Sequence, residues 1–212
     1  MFRDRTDAGQ RLAQRLAHLR GEPVVVLGLP RGGVPVAHEV ASALGAPLDV
    51  MVVRKLGVPF QPELAMGAIA EDGVRVVNDD VVAAARVSAA EIERVEAGER
   101  LELARRAVAF RGSRPRVPVD GKVVVVVDDG LATGATARAA CAAARRWGAS
   151  RVVLAVPVAP AGWEHRMAGA ADDFVCVDAP HRFAAVGQFY DDFAQTTDAE
   201  VIACLGDPPP AG

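Results

Sequence analysis

Two stretches of the chain set charged and hydroxyl side chains beside glycines at a spacing suited to anion chemistry. The first is Asp128-Asp129-Gly130-Leu131-Ala132-Thr133-Gly134-Ala135-Thr136, directly after five consecutive valines, Val123 to Val127. Thr133 to Thr136 fall at the start of an alanine-rich helical pattern that runs to Trp147, where unpaired backbone N–H groups and the helix dipole favour a phosphate. Gly134 lets the backbone approach a ligand closely, because no Cβ stands in the way. The threonine hydroxyls add hydrogen bonds to phosphate oxygens. Two carboxylates beside such a cradle would repel a bare anion. They suit vicinal sugar hydroxyls, or a cation travelling with the phosphate, so a sugar phosphate fits both halves. The second stretch is Pro30-Arg31-Gly32-Gly33, where Arg31 offers a forked, fixed positive charge to phosphate oxygens.

The elements that must position these groups follow from the flanking patterns. A short β-branched run without alternation, such as Val123 to Val127, predicts a strand buried on both faces. Val24 to Leu29 predicts another, followed by the loop at Arg31 and a helix over Val34 to Leu44. Each anion loop therefore sits on a strand–loop–helix unit, and in open α/β sheets ligands bind beyond the carboxyl ends of such strands. Leu48 to Val53, Arg151 to Val156 and Phe174 to Val177 predict three more strands, with Arg54-Lys55 at the end of the first. Gly57, Pro59 and Pro62 after that pair suggest a mobile, charged segment. Glu63 within it serves equally well as a general acid–base or as an ordinary loop carboxylate.

The acid-pair stretch resembles the phosphoribosyl pyrophosphate (PRPP) motif of type I phosphoribosyltransferases: an apolar strand, two acidic residues, Gly, then Ala-Thr-Gly-x-Thr. The resemblance covers about Val24 to Val177. It implies that Asp128 and Asp129 hold the ribose hydroxyls and that Gly130 and Ala132 to Thr136 hold the 5′-phosphate. It also implies that Arg31, Gly32 and Gly33 bind the pyrophosphate end. Orotate and adenine phosphoribosyltransferases show a similar Arg-Lys where their flexible catalytic loop begins, so Arg54 and Lys55 are carried over as pyrophosphate contacts. A solvated pair at a strand end is the alternative. Mg²⁺ would arrive on PRPP, with no dedicated protein cage. Hypoxanthine-guanine enzymes place a lysine after the strand equivalent to Arg151–Val156; this sequence has none, which argues against a 6-oxopurine acceptor. An acidic pair ending a strand also occurs in magnesium sites of other α/β folds, but neither a P-loop nor a Gly-x-Gly-x-x-Gly pattern is present.

The remaining segments are embellishments on that core. Ala8, Leu12, Leu16 and Leu19 predict an amphipathic helix over residues 4–19, with Arg3, Arg5, Arg11, Arg15 and Arg20 on a solvated face. Glu71-Asp72-Gly73 predicts a turn between strands at Ala65–Ala70 and Val74–Asn78. Ser88 and Glu91 have capping-box spacing, predicting a long helix over Ala89 to Phe110 with Ile92, Val95, Leu103 and Val108 as core contacts. Such a helical excursion departs from better-known family members. Arg111 to Pro118 then reads as a surface linker. A short helix at Ala161 to Ala168 carries Trp163 and His165, the latter read as a surface or packed side chain. In the family, residues after the last strand form a hood over the base, which implies Phe183 as a stacking face and Val186 as a backbone contact. Packing of the hood on itself accounts equally well for Phe189, Tyr190 and Phe193. The segment also resembles a bacterial subgroup known only by assignment to the phosphoribosyltransferases.

Composition bounds the rest. The chain has 212 residues, is 51% hydrophobic and carries a net charge of −3, enough apolar mass for one substantial core and no sign of a nucleic-acid or basic membrane surface. Three cysteines without a Cys-x-x-Cys point to small buried side chains in a reducing compartment. No apolar run reaches a membrane span, and no signal-peptide core is present, so a cytoplasmic protein is expected. The expected architecture is one α/β domain, a Rossmann-like open, mostly parallel sheet. The core spans about 20–178, a helical insertion about 79–118, and a hood is built from 1–20 and 178–212. The expected activity is phosphoribosyl transfer from Mg–PRPP to a nitrogen nucleophile, a nucleobase being the leading choice, with release of pyrophosphate. A PRPP-binding regulator without turnover and a phosphoribosyl hydrolase are the rivals. A homodimer is compatible with the sequence.

Overall fold

The computed structural model describes residues 1–206. Five parallel strands form the central sheet: β1 (Val24–Gly28), β2 (Leu48–Val50), β6 (Val123–Val127), β7 (Arg151–Val158) and β8 (Asp173–Asp178), in the order β2-β1-β6-β7-β8. Every residue of β1 and β6 is buried, as expected for valine runs covered on both faces. Helices α1 (Arg5–Arg15) and α2 (Gly33–Leu44) cover one face, where Leu12, Leu16, Val36 and Val40 pack on Val24, Val26, Val123 and Val125. Helix α5 (Ala135–Arg146) and the short α6 (Trp163–Arg166) cover the other, with Ala137, Ala140, Cys141 and the fully buried Trp163 against Val25, Leu27, Val124 and Val126.

Helices α2 and α5 leave adjacent strands toward opposite faces, and the chain proceeds from β1 to β2 on one side and from β6 to β7 on the other. The β1/β6 boundary is therefore the topological switch point of the sheet, where a crevice opens beyond the strand ends. Both anion loops lie there.

A second sheet, antiparallel, carries β3 (Val53–Val58), β4 (Gln61–Ala70) and β5 (Arg75–Val77). This corrects one expectation. The parallel strand stops at Val50, and Arg54 and Lys55 belong to β3 rather than to a loop at its end. Met51 N–H makes the last ladder bond, to Gly28 O, and the chain then turns out of the core as Val52 N–H bonds Glu71 Oε1 instead of continuing the ladder. Helices α3 (Asp79–Ala85) and α4 (Ala89–Arg111) follow. The Ser88–Glu91 capping box starts α4: Ser88 N–H donates to Glu91 Oε2 at 2.9 Å and Glu91 N–H to Ser88 Oγ at 3.3 Å. Leu103 and Phe110 bury α4 against Leu56, Met66 and Ile69 of the meander, joined by Val201 and Leu205 of α7 (Asp198–Gly206).

Two more expectations are corrected on α4. Val108 is 68% exposed, because the helix packs through its Leu103/Phe110 side. Arg111 does not begin a surface linker. Its guanidinium is largely withdrawn from solvent between Asp49 at 3.1 Å and Glu71 at 3.0 Å and donates to Val50 O at 2.8 Å. It ties the helix to both sheets.

The two ends of the described chain meet. Phe2 pairs with Tyr190 as an isolated parallel bridge, and Phe2, Ala8, Val158 and Tyr190 form a small cluster. Residues 207–212 of the expected hood lie outside the described residues. Among the described residues no helix is long and apolar enough to cross a membrane.

Candidate active site

The two anion loops are in direct contact. Register pairs Gly28 with Val127, so the loops leave neighbouring strands at the same height. A Cβ on Gly32 would overlap Asp129 Oδ2, and one on Gly33 would lie 2.8 Å from Asp128 Cα and from Val127 O. Gly32 has an ordinary helical φ of −63°, so there the residue type is set by this approach and not by backbone conformation. Arg31, beside the glycines, points to Asp198 at the start of α7, 3.6 Å away.

Asp128 and Asp129 stand side by side where β6 ends, and Asp129 N–H donates to Asp128 Oδ1 at 2.9 Å. Burial, and then the charge of Asp129, push the Asp128 carboxyl well above its ordinary value. Burial also raises Asp129, while the Arg5 guanidinium opposes the shift. Among the described residues no group of three or more His, Cys, Asp or Glu side chains is placed to hold a metal ion.

Beyond the acids, the turn runs over Gly130 into α5. A Cβ on Gly130 would overlap Val186 Cγ1, so the hood rests directly on this turn. Gly134 caps α5 at φ +82°, a left-handed conformation that favours glycine, and no side chain caps the first turn. The first N–H groups of α5 are thus left for a ligand. A cavity of about 200 Å³ lies here, lined by Asp128, Gly130, Leu131, Ala132, Thr133, Gly134, Thr136, Ala137 and Val186. Ala135 lines the neighbouring hollow of about 450 Å³, together with Thr133, Lys55, Asn78 and Arg138.

The expected site residues are therefore brought together in part. Asp128, Asp129, Gly130, Ala132 to Thr136, Gly32 and Gly33 share one crevice, with Val186 above it. Lys55 lines the hollow beside Thr133 and pairs with the exposed Glu63 at 3.3 Å. Arg54 is turned to α4, where its Nε donates to Glu99 at 2.6 Å. Phe183 stacks on Phe189 within the hood, ring centroids 5.3 Å apart. His165 is exposed on α6.

Sequence reasoning missed two residues in the crevice. Arg5 was expected on a solvated face, yet its side chain is only 13% exposed and its Nε and terminal nitrogen lie 2.9 and 2.8 Å from Asp129 Oδ2. Tyr190, one of the hood aromatics, donates its hydroxyl to Asp129 O at 2.5 Å. Neither carries a local signal, since each partnership spans a long loop of sequence. Burial, and then the neighbouring Asp129, raise the Tyr190 phenol, which keeps it a donor.

The family model described as "Phosphoribosyl transferase domain" matches residues 4–192. The chain belongs to that family. Two Mycobacterium tuberculosis proteins, from strains CDC 1551 and H37Rv, bear the name "Putative phosphoribosyl transferase" and are each 62% identical over 205 residues. That stretch is 97% of this chain and 46% of each relative, so the chain spans about half the length of the curated relatives it matches. The crystal structure of the TT1426 protein from Thermus thermophilus is 46% identical, covers 97% of both chains and superposes with a TM-score of 0.83. The AQ2163 protein of Aquifex aeolicus, 11% identical with a TM-score of 0.51, shares the fold. The chain thus carries the phosphoribosyl transferase domain on a mostly parallel α/β sheet.

Proposed function

We propose that this chain transfers the phosphoribosyl group of Mg–PRPP to a nitrogen nucleophile, a nucleobase being the leading choice, and releases pyrophosphate. The observation that carries the reading is the contact of Gly32 and Gly33 with Asp129 and Asp128 at the switch point of the sheet. Two anion cradles that touch across an acid pair suit a ligand with phosphate at both ends and a dihydroxylated ring between them.

Each residue's part follows from its place. The uncapped first turn of α5 receives the 5′-phosphate through N–H groups, with Thr133 and Thr136 hydroxyls adding bonds. Asp128 and Asp129 accept from the ribose hydroxyls, which relieves the juxtaposed charges. The glycine loop admits the pyrophosphate close to the backbone, with Arg31 supplying charge. Lys55, at the neighbouring hollow, stabilises the leaving pyrophosphate, and Arg54 joins it only by leaving Glu99. The absence of a carboxylate, histidine or cysteine cage among the described residues fits a cation held by substrate oxygens and water. Mg²⁺ would supply charge neutralisation on the pyrophosphate. The bond from the anomeric carbon breaks with positive charge developing on the ribosyl group, so positioning and electrostatics carry catalysis. Val186 and Phe183 close the acceptor side and exclude water.

The test is PRPP-dependent pyrophosphate release across a panel of bases and small amines. Release that requires one acceptor is expected, and it should vanish in the Asp128→Asn/Asp129→Asn double variant. Release with PRPP alone would mark a hydrolase. Binding without release for every acceptor would mark a regulator.

A further inference from the structure

Arg5 occupies a place that the transferase reading does not explain. It comes from the first turn of α1, yet its guanidinium makes four kinds of contact in the crevice. Nε and one terminal nitrogen lie 2.9 and 2.8 Å from Asp129 Oδ2, and the other terminal nitrogen donates to Ala194 O at 2.7 Å. The guanidinium carbon stands 4.1 Å from the centre of the Phe193 ring. A Cβ on Gly32 would lie 3.0 Å from Arg5 Nε, so the group also abuts the glycine loop. One side chain thus joins the hood, the glycine loop and the acid pair.

We propose that Arg5 is a positioning residue for the acid pair. It holds Asp129 by Oδ2 and leaves Oδ1 for a ribose hydroxyl. Both close nitrogens of Arg5 meet the same oxygen, so neither is spent on Asp129 Oδ1. The charge-assisted fork fixes the carboxylate rotamer before PRPP arrives, so little ordering remains to be done on binding. It also ties Ala194 and Phe193 to Asp129, which makes closure of the hood depend on the same ion pair. The inference rests on the transferase reading.

The groups that face Asp129 are Asp128 from its own strand end, Arg5 from α1 and the Tyr190 phenol from the hood. Arg31 of the glycine loop is turned to Asp198, and Glu200 of α7 also feels Arg5. Arg5 is thus the cation that opposes the upward shift of Asp129 caused by burial. Without it Asp129 takes up a proton at higher pH, and the acid limb of PRPP binding moves up with it.

The experiment is titration calorimetry with Mg–PRPP across pH on the wild type, Arg5→Met and Arg5→Lys, with stoichiometry and melting temperature recorded for each. Arg5→Met should bind roughly 10- to 100-fold more weakly at neutral pH, the usual worth of a charge-assisted hydrogen-bonded contact. Its acid limb should lie at higher pH. Arg5→Lys keeps the charge without the fork, so it should restore the limb and recover only part of the affinity. A purely structural arginine would lower melting temperature and stoichiometry and leave the limb in place. Arg5→Met binding as the wild type does, or tighter, overturns the positioning role and makes Arg5 a bystander or a competitor. A wild type that binds no PRPP removes the transferase reading itself, and this role with it.

Discussion

Replacing Gly33 by alanine should destabilise the protein, although it puts a better helix former at the start of a helix. The added Cβ would meet Asp128 Cα and Val127 O at 2.8 Å and Asp128 Oδ1 at 3.0 Å. The first two are backbone atoms of the central strand's end and cannot swing aside. Gly98, within the long helix α4, is the matched control, since a Cβ there meets nothing within 4 Å. Gly98→Ala should stabilise by about 0.5–1 kcal/mol through helix propensity alone. Gly33→Ala carries part of that gain, set against an overpacking cost of about 1–3 kcal/mol. For a chain of this length 1 kcal/mol moves the melting temperature by about 2–4 °C, so Gly33→Ala should melt roughly 2–16 °C below Gly98→Ala. Gly32→Ala clashes instead with side-chain atoms, Asp129 Oδ2 and Arg5 Nε, which can rotate away. Its stability should fall less, while Mg–PRPP binding is lost because Asp129 has been displaced. Scanning calorimetry of the three variants at one pH, followed by titration with Mg–PRPP, makes the comparison. Gly33→Ala melting at or above Gly98→Ala would refute the claim that the two loops are packed in contact.

Three further outcomes follow from the same geometry. The raised carboxyl of Asp128 means that its stability contribution is fully present below the ordinary value of 3.8 and lost as pH rises through the folded-state value; Asp128→Asn should therefore melt above the wild type at neutral pH, with the gap closing on acidification, and a gap constant with pH would contradict the assignment. Lys55→Met should lower kcat more than it raises KM for PRPP, by roughly 30- to 1,000-fold for about 2–4 kcal/mol of transition-state charge stabilisation; unchanged turnover would make Lys55 a solvated partner of Glu63. Without a lysine after β7, hypoxanthine and guanine should be poor acceptors in a steady-state panel with adenine, xanthine, uracil and orotate, because a site lacking a needed donor discriminates strongly; efficient turnover of either oxopurine would overturn this.

What could be read from the sequence was whatever is encoded within a few residues. The valine run, the acid pair, the glycines and the Ser88–Glu91 capping box each act through neighbours in the chain, and each stands where it was expected. The split after Val50 was not legible, because a hydrogen bond from Val52 N–H to Glu71 decides it, and the apolar run continues regardless. Arg111 looked like the start of a linker because its partners Asp49 and Glu71 lie 62 and 40 residues away. Arg5 is the extreme case, with its carboxylate 124 residues downstream. A basic face on an amphipathic helix normally meets water, and only the closing of both termini over β6 turns one of its arginines inward.

The most direct test of the central claim is calorimetric titration of the wild-type protein with PRPP in the presence and absence of Mg²⁺. A single site that requires Mg²⁺ is expected, with affinity strongly reduced in the Asp128→Asn/Asp129→Asn variant. No heat at millimolar PRPP with Mg²⁺ present, or a double variant that binds as the wild type does, would contradict the role assigned to the crevice.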